Sequence, residues 1–291
     1  MTFIKKISAL GKQKQIINTV KMKKILKISV CLFILSFALN SCNYSKTDKV
    51  QHNKNISKNE YLMMSVLYQQ KSAEYRALSY QAYNIAKIRL DEYLKTRNDS
   101  LKPAVVVDID ETVLDNSPWE AKCILENINY PKQWNEWCKS AKAKPLPGAV
   151  DFLNYAFSKN VDVFYISNRK ENLKEATIQN LKTSGFPQVD KEHIFTMRSS
   201  ENKKERRALV TKNHHIILLI GDNLSDFSEI FEKKSIKKRF AITDSLKREF
   251  GNRFIILPNA MYGEWENAIY DYNRISDKEK LLIRIKNLES F

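Results

Sequence analysis

The stretch from Ala104 to Glu120 limits the possible folds more than any other, because it places an apolar run directly before two acids. Three consecutive β-branched residues, Val105 to Val107, are typical of a buried strand in a parallel sheet. In extended backbone, the side chains of Asp108 and Asp110 leave the same face of that strand. Two such carboxylates repel each other unless a cation or a proton separates them. The pattern indicates a metal-assisted reaction in which one carboxylate is the nucleophile and the other an acid and base.

Apolar, strand-like runs alternate with helical patterns over the remaining chain, which predicts an α/β domain with a doubly wound parallel sheet. An insertion between the first two strands, at about residues 115–147, is rich in tryptophan and is predicted to form a small helical cap over the sheet. The predicted strands are Ala104–Val107, Val161–Ile166, His193–Thr196, Ile216–Ile220, Phe240–Thr243 and Phe254–Leu257. The predicted helices are Gly148–Ser158, Glu171–Thr183, Lys204–Lys212 and Ser225–Lys233.

The rest of the chain divides by composition. Residues 43–59 are polar and lack hydrophobic periodicity, which predicts a tether. Residues 60–100 have apolar side chains at helical spacing, which predicts a helical arm packed on the core domain, residues 101–265. Residues 266–291 are predicted to be a C-terminal helical segment.

The first 42 residues predict export. They contain eight lysines and no acid, and the apolar run Ile28–Leu39 fits a signal peptide better than a membrane span. Met22 is a second possible start of the chain. Leu39 to Cys42 resembles a bacterial lipobox, in which Cys42 would be lipidated and anchor the protein to a membrane; an ordinary secretory signal is the alternative.

Charge and cysteine content bear on two further properties, nucleic-acid binding and disulfide formation. Without the eight leader lysines, the formal charge falls from +16 to +8, and the remaining charges are dispersed among acids. No basic stretch interleaved with aromatic residues is present, so we expect no binding to a nucleic-acid polymer. Export permits a disulfide between Cys123 and Cys138, and the sequence leaves that pairing open.

Polar residues follow two further predicted strands. Ser167 and Asn168 follow the second strand, and Asp222 and Asp226 follow Gly221 after the fourth. Ligands bind at the carboxyl ends of strands in open α/β sheets, so these residues are expected to meet Asp108 and Asp110. Four acids around one point favour a hard divalent cation with oxygen ligands, Mg²⁺ above all. Taken singly, each acidic group could instead cap a turn or helix.

These residues together resemble the four motifs of the haloacid dehalogenase superfamily. More narrowly, the chain resembles the class C bacterial lipoprotein acid phosphatases, which include outer-membrane 5′-nucleotidases. The stretches that carry the resemblance are Gln69–Leu78, Asp108–Pro118, Ser167–Arg169, Lys203–Arg207 and Gly221–Phe227.

The resemblance implies that Asp108 attacks phosphorus and Asp110 is the acid and base. It further implies that Mg²⁺ is held by Asp108, the backbone carbonyl of Asp110 and Asp222, with Asp226 in support. Phosphate would be bound by Ser167, Asn168 and a lysine, for which Lys203 fits the family spacing and the adjacent Lys204 remains an alternative. Trp119 and Tyr262 are candidates to stack on a nucleobase, or they are ordinary packing residues.

The resulting expectation is a Mg²⁺-dependent acid phosphatase that hydrolyses phosphomonoesters, 5′-nucleotides in particular, through an aspartyl-phosphate intermediate. It would be exported and anchored by lipid to the cell envelope, at the outer membrane if it follows the family. Two alternatives remain open from the sequence: a phosphotransferase of the same family, or a surface lipoprotein that binds without catalysis.

Overall fold

The computed structural model describes residues 57–98, 100–198 and 202–291. The predicted signal peptide, Cys42 and most of the predicted tether lie outside these ranges. The helices are α1 (Met63–Lys71), α2 (Ala73–Thr96), α3 (Ser117–Glu126), α4 (Trp134–Ser140), α5 (Ala149–Ser158), α6 (Lys174–Thr183), α7 (Lys203–Val210), α8 (Ile236–Ser245), α9 (Glu264–Ile269) and α10 (Asp277–Lys286). The strands are β1 (Lys102–Val107), β2 (Leu114–Asp115), β3 (Lys144–Pro145), β4 (Asp162–Lys170), β5 (Ile194–Met197), β6 (His214–Gly221) and β7 (Phe254–Ile256).

Five strands form one parallel sheet in the order β5-β4-β1-β6-β7, which confirms the predicted α/β fold. β1 lies at the centre of the sheet, and its side chains point alternately to the two faces. Val105 and Val107 pack in a large core that includes Leu90 of α2, whereas Ala104 and Val106 pack in a second core on the other face. Because helices cover both faces, β1 is apolar and buried from Pro103 to Val107, and the first acid, Asp108, follows directly.

Ser72 interrupts the helical pattern of the N-terminal region. Its backbone is extended, and its hydroxyl accepts a hydrogen bond from the amide of Tyr75 at 3.0 Å, so that it caps α2. Tyr83 of α2 is buried, and its hydroxyl donates to the carbonyl of Thr112 at 2.6 Å. This helix therefore supports the turn that follows β1. Among the described residues, no helix has both the length and the apolar character needed to cross a membrane.

The insertion after β1 forms the helices α3 and α4 and is closed by the antiparallel pair β2 and β3. A small apolar cluster, which includes Trp119, Cys123 and Ile128, holds it together. Cys123 and Cys138 are both buried and both are free thiols, so the disulfide that the sequence left open does not form here.

Two predicted elements were wrong. Phe240–Thr243 was predicted to be a strand but lies within α8, where Phe240 is exposed and Arg239 is buried and donates to the carbonyl of Phe231 at 3.0 Å. A four-residue apolar run cannot distinguish a strand from one turn of helix. Ser225–Lys233 was predicted to be a helix but forms two short 3₁₀ turns. Side chains of Asn223 and Ser228 each cap a new turn and prevent one continuous helix.

Candidate active site

The turn after β1 places Asp108 and Asp110 on one side of the backbone and Ile109 on the other. The Asp108 amide still pairs with the carbonyl of Ile220 at 2.9 Å, so the backbone continues the strand to this point. Ile109 is fully buried in the main core, and its carbonyl accepts hydrogen bonds from the amides of Val113 and Leu114. Asp108 and Asp110 both line a cavity of about 690 Å³. The period-two alternation predicted for these residues is the one observed.

Asp108, Asp222 and Asp226 each offer a carboxylate oxygen, and these oxygens lie within 4.8 Å of one another. The Lys203 ammonium lies among them: it donates to Asp108 and to Asp226, 2.7 Å from the Asp226 Oδ1 atom. We call these four residues the acid cluster. Three carboxylates and one ammonium leave a formal charge of −2, which a divalent cation would balance. Because the donors are carboxylate oxygens, the cluster fits a hard cation such as Mg²⁺.

Burial makes this charge imbalance costly. Burial raises the pKa of Asp108 above its ordinary value. The positive charge of Lys203 opposes this rise, and the negative charges of Asp226 and Asp110 reinforce it. Burial together with Asp226 and Asp108 likewise raises the pKa of Asp222. Both carboxylates would therefore gain from a nearby positive charge.

Gly221 at the end of β6 and Asn259, which follows β7, shape the acid cluster. A Cβ atom at residue 221 would lie 2.4 Å from the Asp226 carboxylate, so only glycine allows Asp226 to approach so closely. Asn259 donates to Asp222 at 2.8 Å, and Thr112 donates to the other oxygen of Asp222 at 3.1 Å. These hydrogen bonds fix the orientation of Asp222.

Asp110 belongs to a different ionic group. The Arg169 guanidinium donates to both of its oxygens, with the shortest contact at 2.7 Å, and Arg169 is almost completely buried. Asn116 and Ser167 also donate to Asp110, at 2.8 and 3.3 Å. Sequence reasoning missed Arg169 and Asn116 as site residues, although Arg169 directly follows the two polar residues that were selected.

The two predicted phosphate-binding residues of β4 are held by neighbouring arginines. The Ser167 hydroxyl accepts a hydrogen bond from the Arg169 amide at 3.0 Å. Arg206, which is buried, donates to the Ser167 carbonyl and to the Asn168 side chain, the latter at 2.7 Å. Asn168 lines the cavity.

The structure separates the two candidate lysines. Lys203 is buried in the acid cluster, whereas the Lys204 side chain is 61% exposed and pairs with Glu229 at 2.8 Å. Both lysines lie in the first turn of α7, but only Lys203 is on the side of the helix that faces the acid cluster.

Trp119 and Tyr262 both line the cavity. Trp119 is buried and packs edge to face against Trp134, with ring centroids 5.1 Å apart. The Tyr262 hydroxyl donates to Glu111, a fully buried carboxylate that also accepts from the Asn116 amide at 2.8 Å. Sequence reasoning missed Glu111, because nothing local indicates that its partner lies 151 residues away.

A five-stranded parallel sheet with an Asp-x-Asp turn after its central strand, facing a lysine and two further aspartates, defines the class of haloacid dehalogenase-like phosphatases. Residues 18–265 match the family described as HAD superfamily, subfamily IIIB (Acid phosphatase), and the chain belongs to this family.

Solved structures and characterised proteins agree with this assignment. The class C acid phosphatase of Bacillus anthracis shares 47% identity, covers 81% of this chain and 100% of its own, and superposes with a TM-score of 0.78. The same enzyme with tungstate bound shares 48% identity over 80% of this chain and 98% of its own, also with a TM-score of 0.78. Vegetative storage protein 1 of Arabidopsis thaliana is 27% identical over 66% of this chain and 70% of its own length. Acid phosphatase 1 of Solanum lycopersicum is 25% identical over 46% of this chain and 56% of its own. The resemblance to class C acid phosphatases is thereby confirmed, and the chain is an acid phosphatase.

Proposed function

We propose that this acid phosphatase hydrolyses 5′-nucleotides and related phosphomonoesters, with Mg²⁺ bound at the acid cluster and Asp108 as the nucleophile. The observation that carries the proposal is the position of Asp108 at the cavity surface, between Lys203 and two further carboxylates whose combined charge a divalent cation balances. The proposed cycle has two steps, the formation of an aspartyl phosphate at Asp108 and its hydrolysis.

In the first step, an Asp108 carboxylate oxygen attacks phosphorus and the bond between phosphorus and the alcohol oxygen breaks. The electron pair leaves with the alkoxide, which takes a proton from Asp110. In the second step, water attacks the aspartyl phosphate and gives a proton to Asp110, which releases phosphate and restores the Asp108 carboxylate. Arg169 and Asn116 hold Asp110 in position for both transfers.

The negative charge of the phosphate must be offset for a carboxylate to attack it. Bound Mg²⁺ would supply positive charge for this purpose, held by Asp108, the Asp110 backbone carbonyl and Asp222, with Asp226 in support. Lys203 contacts Asp108 and would neutralise a phosphoryl oxygen there, while Ser167 would donate a hydrogen bond to another.

The nucleotide preference rests on the cavity. Its volume of about 690 Å³ exceeds what a phosphate alone requires and suits a substrate with a sizeable alcohol part. Trp119 and Tyr262 on its wall offer aromatic surface to a base, and such stacking contributes about 1–3 kcal/mol per base.

Export and lipid anchoring at Cys42 are proposed from the sequence of the leader. The expected location is the cell envelope, at the outer membrane. Cys42→Ser should release the protein from the membrane fraction into the soluble extract, and an unchanged distribution would contradict the lipid anchor.

The function is tested by phosphate release from 5′-AMP, nicotinamide mononucleotide and p-nitrophenyl phosphate, each with Mg²⁺ and with EDTA. We expect Mg²⁺-dependent release from all three and none from the Asp108→Asn variant, whose fold is checked by circular dichroism. Turnover by the folded variant would overturn the nucleophile assignment, and full activity in EDTA would overturn the metal requirement.

A further inference from the structure

Beyond the acid cluster and Asp110, the cavity wall includes four further acids and one lysine: Glu120, Glu264, Glu266, Asp277 and Lys280. Glu120 in the first turn of α3 and Glu266 in α9 both line this wall. Tyr61 and Trp119 contribute aromatic rings to the same region. The mechanism proposed above uses neither Glu120 nor Glu266.

Glu120 differs from the other buried acids in having no partner. It is 7% exposed, and no hydrogen bond or ion pair to its carboxylate is found among residues 57–98, 100–198 and 202–291. Glu111 is also buried, but it accepts hydrogen bonds from Asn116 and Tyr262. The indole N–H of the adjacent Trp119 likewise has no acceptor in the described part of the chain. A buried carboxylate without a partner is costly, and because Glu120 lines the cavity its carboxylate is placed to meet a ligand there.

A glutamate in the first turn of a helix is often explained by the helix dipole alone. That explanation does not require burial at a cavity, and an exposed carboxylate in the first turn would serve equally well. Burial, with Glu266 as a like-charged neighbour, instead raises the pKa of Glu120 to about 7. A cation between the two carboxylates would relieve both effects.

The two basic residues near this wall, Arg284 and Lys280, lie against aromatic rings and do not pair with Glu120. The Arg284 guanidinium lies 3.7 Å from the centre of the Tyr61 ring, and the Lys280 ammonium lies 5.2 Å from the centre of the Tyr270 ring. Glu266 accepts hydrogen bonds from Tyr61 and Tyr270, at 3.5 and 3.2 Å. Glu120 thus remains the unpaired acceptor of this wall.

We propose that Glu120 and Glu266 form a subsite for a positively charged group on the alcohol part of the substrate, remote from the phosphate. The Tyr61 ring suits the same chemistry, since cations bind favourably near aromatic faces and this ring already has the Arg284 guanidinium 3.7 Å from its centre. The subsite rests on the proposed function and adds that the preferred nucleotides carry a cationic base.

Two isomeric nucleotides provide the test. 1-Methyladenosine 5′-monophosphate carries an added proton and a positive charge on its base at pH 7, whereas its isomer N6-methyladenosine 5′-monophosphate has the same heavy atoms and a neutral base. We expect kcat/KM for the charged isomer to exceed that for the neutral isomer about fivefold, the effect of one partly shielded charge pair. Glu120→Gln should reduce this ratio to about 1, and Glu266→Gln should reduce it in part. Glu126→Gln, on the exposed side of the same helix, should keep the wild-type ratio.

The ratio is an internal control, because a general loss of folding or activity lowers both rates together. Equal rates for the two isomers in the wild-type enzyme, or an unchanged ratio in Glu120→Gln, would overturn the subsite and leave the phosphatase assignment intact. If neither isomer nor 5′-AMP is hydrolysed while p-nitrophenyl phosphate is, the proposed nucleotide substrates fail and the subsite fails with them.

Discussion

Replacing Lys203 with methionine should strongly destabilise the metal-free enzyme. The lysine ammonium lies between Asp108 and Asp226, and all three side chains are at most 8% exposed. The substitution takes the formal charge of the acid cluster from −2 to −3 in a place that water hardly reaches. Removing one partner of a buried ion pair costs about 3–5 kcal/mol, because the remaining charge is left uncompensated. We expect the free energy of unfolding in EDTA to fall by about that amount.

Lys204→Met is the matched control, since Lys204 is the next residue of the same helix. Its ammonium pairs with Glu229 at 2.8 Å on an exposed surface, where an ion pair contributes at most about 1 kcal/mol. Helix propensity changes equally in the two variants. The difference between them therefore isolates the buried charge.

The assay is denaturant unfolding at pH 7, followed by circular dichroism, in EDTA and in excess Mg²⁺. Mg²⁺ adds two positive charges to the acid cluster and should narrow the gap between Lys203→Met and wild type. Phosphate release should fall sharply in Lys203→Met and stay within about twofold in Lys204→Met. Equal destabilisation by both substitutions, or a loss below about 1 kcal/mol for Lys203→Met, would refute the reasoning.

Three further predictions concern the metal, Asp110 and the far end of the sheet. Mg²⁺ at 100 times its dissociation constant should raise the free energy of unfolding by about 2.7 kcal/mol, and an unchanged melting temperature would argue against a metal site. Arg169→Met should lower kcat about 100-fold by misplacing Asp110, and a normal kcat would exclude a positioning role. Burial pushes the pKa of Asp162 up, but hydrogen bonds from Lys102 and two other side chains outweigh it and leave that pKa below 3.8. The folded state therefore resists protonation, so this stabilisation is present above pH 4 and lost as the pH falls through about 3.8 and below. In denaturation between pH 5 and 3, Asp162→Asn should lose less stability than wild type, whereas Asp151→Asn, at an exposed site, should behave as wild type.

Local sequence was sufficient where periodicity and strand ends decide the structure. The β-branched residues before Asp108 favoured a strand buried on both faces, and alternation then indicated which side each following residue faces. Gly221 leaves room for Asp226, whose carboxylate would lie 2.4 Å from a Cβ atom at residue 221. These features need only neighbours in the chain.

Partners distant in the sequence were beyond such reasoning. Arg169 lies 59 residues from the Asp110 that it holds, and no spacing rule connects them. Glu111 lies 151 residues from its hydrogen-bond donor Tyr262, and no local pattern connects the two. The four-residue run from Phe240 was misread for a different reason, because so short an apolar run does not distinguish a strand from one turn of helix.

The charges around the Asp-x-Asp turn divide into two groups with opposite balance. Asp108 shares one ammonium with two other carboxylates and is left short of positive charge, whereas Asp110 has a buried guanidinium to itself. A carboxylate with too little compensating positive charge favours the binding of a cation. A cation bound there would also reduce the repulsion between Asp108 and the phosphate that it is proposed to attack. A carboxylate with its own guanidinium needs no metal and keeps a fixed orientation, as a proton-transfer group requires. The fold thus gives two acids only two residues apart different partners: a cation-binding cluster around Asp108 and a guanidinium that orients Asp110.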